Sequence, residues 1–474
     1  MTASETGQEQ IADPHPTGSG GGLRGKVTGA IAKVHAAAAS VSAEILQSAT
    51  SFVLSVIAVR ELGPSDLGVF VLLYNCVVLA TAVTTGLIGD SLTVLHRDRR
   101  EVRGGLQVVA LGVAVLGGLL AAVVTGVTGL LDWDLTPLMG VAVAVFVLED
   151  LIRRMLMASM RFWFVVAVDA TCLVVTMLWL FGFKVLDGQL VMRDLLAALL
   201  VAQLIGLTLG IALLPAAERW WASMRHTTWR DVLRYGGWRA AQQAVRPAVM
   251  AAARTIVIVA VGAALFGELE AARVYAPAAL IVNGAGGFLF ASYANRRTSS
   301  LRQLIPFADR ATILLVGLSL GLGVLSLVLM PWLGPIITND KFDLNAVAVF
   351  GWSVYAAATA VIMPYGSLAA VRGRQAAVMG TRVVEAVVSL VSLVLVLGVV
   401  GAEVWWAPYA MAVGSLAMGL VIRQMILVPT AAEEERGPRA GRRPVAGGPP
   451  PAAEELSAPT AARPEITPAA PEPS

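Results

Sequence analysis

Apolar and polar residues alternate along this chain on the scale of whole membrane crossings. Twelve apolar runs lie at roughly 37–59, 68–90, 105–131, 135–152, 163–186, 194–215, 238–264, 271–294, 307–333, 344–370, 376–400 and 404–428. Each is about 20 residues or longer, which as a helix rising 1.5 Å per residue spans a hydrocarbon core of ~30 Å. The pattern predicts an all-α polytopic membrane protein with about 12 transmembrane helices. The longest connection on one side, residues 216–237, falls between the sixth and seventh runs. It predicts a six-helix N-terminal half over 36–215, a six-helix C-terminal half over 238–428 and a central cavity between them. Within that connection, Trp229-Arg230-Asp231-Val232-Leu233-Arg234-Tyr235 reads as a short amphipathic helix lying at the membrane interface.

Composition excludes a soluble multidomain protein. Hydrophobic residues make up 57% and charged residues only 14%, against about 25% in soluble domains, and the mean hydropathy is +0.74. The charge that exists sits on the connections. With the N-terminus assigned to the cytoplasm, the inner connections and N-tail carry 22 basic residues, and the outer connections only five (Arg60, Lys184, Arg193, Arg273, Lys341) beside 11 acidic ones. The positive-inside rule then predicts a multi-pass plasma-membrane protein with both termini cytoplasmic. Residues 1–35, Gly-rich and without an apolar core, and residues 429–474, which hold 11 of the 23 prolines, are expected to be disordered cytoplasmic tails without a cleavable signal.

Little in the chain suggests enzyme chemistry. Cys76 and Cys172 lie in separate apolar runs, which excludes a disulfide framework, and the four histidines lack metal-ligand spacing. Gly20-Gly21-Gly22-Leu23-Arg24-Gly25-Lys26-Val27 nearly spells a phosphate-binding loop, but Val27 stands where the magnesium-binding hydroxyl belongs and no strand precedes it. No enzyme activity, resident cofactor or nucleic-acid partner is expected.

The informative residues are polar ones inside the spans, because a charge at the bilayer centre costs roughly 2.5–3.5 kcal/mol even on the mildest scale. In the first span Ser40, Glu44, Gln47, Ser48, Ser51 and Ser55 share an arc of about 100°, and in the seventh Arg239, Gln242, Gln243, Arg246 and Arg254 share about 120°. One polar stripe on the opening helix of each half suits a shared aqueous cavity. Arg246 and Arg254 are the expected head-group ligands, since paired guanidinium groups bind phosphate oxygens bidentately; a permanent ion pair with Glu44 or Asp169 is the alternative. Gln47, Ser51, Arg239 and Gln243 complete the expected cavity. Glu44 and Asp169 are candidates for a coupling Na+ or H+ site, and a static ion pair is again the alternative. Arg382 and Glu385 are expected to pair along one helix, and Asp90, Glu149 and Asp150 to pair with neighbouring arginines. Prolines 247, 277, 331, 364 and 408 are candidate kinks, Pro247 a local helix break. The pairs Gly206/Gly210 and Gly317/Gly321 are expected at close helix contacts.

The run Ser55-Val56-Ile57-Ala58-Val59-Arg60-Glu61-Leu62-Gly63-Pro64-Ser65-Asp66-Leu67-Gly68-Val69-Phe70 resembles the first inter-helix turn of polysaccharide flippases in the multidrug/oligosaccharidyl-lipid/polysaccharide (MOP) exporter superfamily. Thr85-Gly86-Leu87 with Asp90, the arginines 153, 154 and 161, and Tyr235-Gly236-Gly237-Trp238 extend the resemblance over about 35–428. Leu265-Phe266-Gly267-Glu268 followed by Val274-Tyr275-Ala276-Pro277 resembles the equivalent turn of the second half, with Arg273 at the position where the family has Gly before the aromatic. The resemblance implies a flippase that moves an isoprenoid-diphosphate-linked saccharide among membrane lipids by alternating access, beside glycosyltransferases or a polysaccharide polymerase. It leaves two relatives in view: a cation-coupled small-molecule exporter, and a peptidoglycan-precursor flippase, which usually has fourteen helices. A scaffold acting through the Pro-rich tail is the reading from another class.

Overall fold

The computed structural model describes residues 46–89, 100–219, 229–276 and 299–436, with residues 42, 92, 289, 292, 293 and 296. Helix α1 (46–61) runs into the Gly63-Pro64 turn, and Pro64 occupies the first position of α2 (Pro64–Gly89), where its missing N–H leaves no bond unmade. The last five residues of α2, Thr85–Gly89, widen into a π turn. Helices α3 (Arg100–Val127), α4 (Thr136–Ala158), α5 (Phe162–Asp187) and α6 (Met192–Leu213) complete the first six. The 47-residue α7 (Trp229–Tyr275) opens the second set, followed by α8 (Leu301–Thr338), α9 (Ala346–Val371), α10 (Gln375–Val399) and α11 (Val404–Glu435).

Nine of the described helices are long and apolar enough to cross a membrane. Helix α4, 23 residues long, has the length to cross as well, but its second half carries Glu149, Asp150, Arg153 and Arg154. With α1 and the helix that follows a break in α7, the described residues form twelve helical segments in two halves. That break is at Gly262, whose φ of 87° lies in the left-handed region that glycine adopts freely, so residues 229–261 and 263–275 are separate helices. Pro247, the expected break, sits inside a continuous helix: a proline inside a helix deletes one hydrogen bond, whereas Gly262 reverses the backbone twist. Pro331 and Pro364 are likewise inside helices, Pro408 is in the first turn of its helix, and Pro277 lies outside the described residues.

Three further expectations are revised. The segment beginning at Trp229 is the start of α7 itself, continuous with the seventh span, rather than a separate interfacial helix. The chain remains helical past residue 429 to Glu435, where Ala431 joins the apolar core of the second half and the C-terminal turn packs over the start of α8. Gly206 and Gly210 do sit at close contacts, against Cys172 and Ile152, but Gly317 and Gly321 face open space, and on α8 it is Gly323 that approaches Ser353.

The core positions the site. Toward the end bearing the acidic connections, one apolar core runs through both halves, uniting Leu54, Leu67 and Phe70 with Phe266, Leu269, Trp352 and Met411. Toward the end bearing the basic connections the core splits. One part gathers Leu87, Leu106, Leu151, Val168 and Ala202 with Val232 and Ala240 of α7; the other gathers Leu304, Ala360, Tyr365, Leu368 and Ile422. The two halves thus share one core at the acidic end and diverge toward the basic end.

An internal symmetry explains the shared end. Gly63, Pro64 and Gly68 in the first half match Gly262, Ala263 and Gly267, each 199 positions later. A Cβ on Gly68 would collide with the carbonyl of Ala263, and one on Gly267 with the carbonyl of Pro64. The contact is reciprocal, backbone against backbone, as a twofold axis between the halves requires. It corrects the register read from sequence: the counterpart of Gly68 is Gly267, and Arg273 corresponds to Tyr74.

Candidate functional site

Between the diverging parts lies a cavity of about 530 Å³. Its walls come from α1 (Gln47), α2 (Thr81, Thr85), α4 (Asp150, Arg154), α7 (Gln242, Gln243, Arg246), α9 (Tyr355), α10 (Arg382, Glu385, Ser389) and α11 (Ser415). Helix α7 contributes most because its polar stripe faces inward along a span whose far side is exposed at Val259 and Trp238.

The charges on this wall are arranged unequally. Arg154 grips Asp150 through two bonds of 2.7 and 3.2 Å along one helical turn of α4. Arg382 holds Glu385 at 3.0 Å on α10, and Glu385 also accepts from the Ser415 hydroxyl at 2.5 Å. Arg246 has no hydrogen bond or ion pair to any described residue, so among the described residues the cavity wall carries two neutralised pairs and one uncompensated guanidinium. A site of this size with a few convergent polar groups is the usual form of a ligand pocket, and the described side chains on its wall carry a net positive charge.

The sequence-derived candidates separate into groups. Gln47, Gln243 and Arg246 line the cavity. Ser51 meets the hydroxyl of Tyr74 at 2.8 Å in the α1–α2 contact, and Arg239 donates to Gln242 at 3.2 Å on its own helix; neither is on the cavity wall. Asp169 is 6% exposed inside the first half, where both its oxygens accept from Arg153 Nε at 3.2 Å. This is the static-pair alternative with a different partner. Glu44, like Asp90, lies outside the described residues.

Arg254 is also off the cavity wall. Its Nε meets Glu270 at 3.2 Å and its Nη1 donates to Asn75 at 2.8 Å, while Arg273 binds the other oxygen of Glu270. Glu270, 1% exposed at its side chain, was not a sequence candidate, because it reads as one more acid in an outer turn; the intramembrane arginine 16 residues earlier was the available signal. A small void touching Arg254, Glu270 and Trp352 lies just beyond the cavity, and Met250 and Met411 border both spaces.

The acidic end is closed across the halves by further contacts. Arg60 donates to the carbonyl of Ile336 at 2.7 Å and Lys341 donates to the carbonyl of Glu61, while within the first half the Glu61 carboxylate pairs with Lys184 at 2.6 Å. No group of three or more His, Cys, Asp or Glu side chains among the described residues could hold a metal.

This closed end, split end and wedge define a two-half, all-α membrane-protein fold with a cavity between the halves. Comparison of the structure with solved ones bears this out. An inward-facing multidrug resistance MATE family transporter of the MOP superfamily aligns with a TM-score of 0.60 at 12% identity, covering 84% of this chain and 99% of the other. The lipid II flippase MurJ in an inward closed conformation aligns with a TM-score of 0.60 at 10% identity, over 84% and 87%. A MOP transporter from Pyrococcus furiosus, described as having a binding pocket of reverse polarity that suggests a different function, aligns at 0.53 and 12% identity, over 85% and 96%. No family model matches the chain, and no curated protein matches it by sequence.

Proposed function

We propose that this protein is a flippase that carries an isoprenoid-diphosphate-linked saccharide across the plasma membrane by alternating access. The observation that carries the reading is Arg246: a guanidinium on the wall of the central cavity with no described acid to neutralise it, beside two arginines that are neutralised. A low-dielectric cavity with net positive charge stabilises a diphosphate and opposes an organic cation. The glutamines and hydroxyls around it suit the polar sugar, while the lipid tail stays in the bilayer. A structural neighbour described as a lipid II flippase supports this reading.

In this reading the basic end faces the cytoplasm and the wedge is loaded from that side. The test is Arg246→Ala in a host that needs the gene for surface polysaccharide: polysaccharide falls with protein level unchanged. Full polysaccharide from that variant overturns the role of Arg246. A cation-coupled exporter would instead show dye efflux that Arg246→Ala leaves intact or raises.

A further inference from the structure

The cluster beyond the methionines has a charge balance that the closed state conceals. Glu270 is a single carboxylate shared by Arg254 and Arg273, so the group carries one net positive charge; Arg254 and Glu270 are 11% and 1% exposed at their side chains, and Arg273, on the outer side, is 30% exposed. Its spare donor, Nη1 of Arg254, is taken by Asn75 Oδ1 at 2.8 Å. Asn75 comes from α2 in the other half, is 3% exposed, and donates its own Nδ2 to the carbonyl of Pro247 at 3.3 Å. One amide therefore ties α2 to α7 at two places seven residues apart. Moving α2 away from α7 at the acidic end breaks both bonds. Nη1 of Arg254 then loses its acceptor while Nε keeps Glu270, and a buried polar donor left unsatisfied there is costly.

Arg246 and Arg254 are eight residues apart, about 12 Å along α7, with Met250 between them. The first faces the open cavity and the second lies behind the Met250 and Met411 layer. We propose that Arg254 and Arg273 form a second, outer station for an anionic phosphate group, and that Asn75 is the catch that keeps this station shut while the cavity around Arg246 is open. Asn75 is a positioning residue: it acts through Arg254, and on opening it leaves to the arriving anion the donor it had occupied. The identity of that anion as a lipid diphosphate rests on the proposed function; the catch does not.

The test starts from a protein carrying Cys76→Ser and Cys172→Ala, introduces Val257→Cys in the void beside Arg254, and measures labelling of the new thiol in intact cells by a membrane-impermeant maleimide. Asn75→Leu removes the catch and raises labelling about tenfold, the weight of one hydrogen bond to a charged group. Asn75→Asp gives up the donor to the Pro247 carbonyl but sets a carboxylate against Arg254, and because a charge-assisted bond outweighs the neutral one it replaces, labelling falls. A residue that only supports the fold would move both variants the same way, so equal or parallel changes overturn the catch. Inorganic pyrophosphate should protect the introduced thiol in the Asn75→Leu protein, and Arg273→Gln should abolish the protection; no protection overturns the station. None of these readouts needs the lipid substrate, so their failure leaves the polysaccharide test standing, and the reverse also holds.

Discussion

The two ends of this molecule are held on opposite plans. At the acidic end, glycines bring two backbones into contact across a twofold axis, one apolar core crosses between the halves, and Arg60, Lys341 and Arg254 bind groups on the opposing half. At the basic end each half keeps a core of its own, and the space between is polar and open enough for about 530 Å³ of cavity. Closure by backbone contact and buried ion pairs is specific, because it needs small residues and matched partners at fixed positions. Separation needs only that polar side chains find water or cargo. The difference teaches that the contact between the halves is specified at the acidic end, while the wedge is where the proposed function places the cargo.

This contrast can be broken most severely at Glu270. Glu270→Ala leaves two guanidinium groups without their shared partner, and loss of one member of a buried pair costs about 3–5 kcal/mol; thermal unfolding in detergent should show a large loss, with Glu270→Gln intermediate. Next comes the glycine contact. Gly267→Val drives a side chain into the Pro64 carbonyl, and overpacking of this kind costs about 1–3 kcal/mol; crosslinking between the turns at 65 and 264 should fall with it. A matched pair of smaller effects sharpens the packing side. Gly206→Ala presses on Cys172 and should destabilise the first half measurably, whereas Gly317→Ala, with nothing near it, should be neutral or gain up to about 1 kcal/mol of helix propensity. Smallest in stability and largest in function is Arg246→Ala, which should shift unfolding by less than about 0.5 kcal/mol while abolishing or sharply reducing export.

Much of this architecture was legible in the chain because hydrophobic run length decides a membrane span by itself. The all-helical membrane fold, its two halves and the part of the α7 stripe at Gln242, Gln243 and Arg246 follow from periods of about 20 and 3.6 residues. What escaped were features set by contact between distant segments. Pro247 and Gly262 are both plausible breaks in one dimension, and only the reciprocal packing of Gly68 and Gly267 shows why the turn begins at 262. Arg254 has a helical position much like that of Arg246, yet one is committed to Glu270 and Asn75 and the other is not; partners 16 and 179 residues away leave no local trace. Arg382 and Glu385 were recognisable as a pair from spacing, but that α10 turns them toward the cavity depends on its packing beside α11.

The most direct test of the central claim is transport itself. The purified protein would be reconstituted in vesicles with a fluorescent polyprenyl-diphosphate-linked N-acetylhexosamine, and flipping followed by quenching from the outside. Rapid loss of protected fluorescence with the parent protein, reduced at least about tenfold by Arg246→Ala as expected for removal of one charged contact, is the predicted result. Flipping that is absent in the parent, or that proceeds equally in the Arg246→Ala protein, would contradict it.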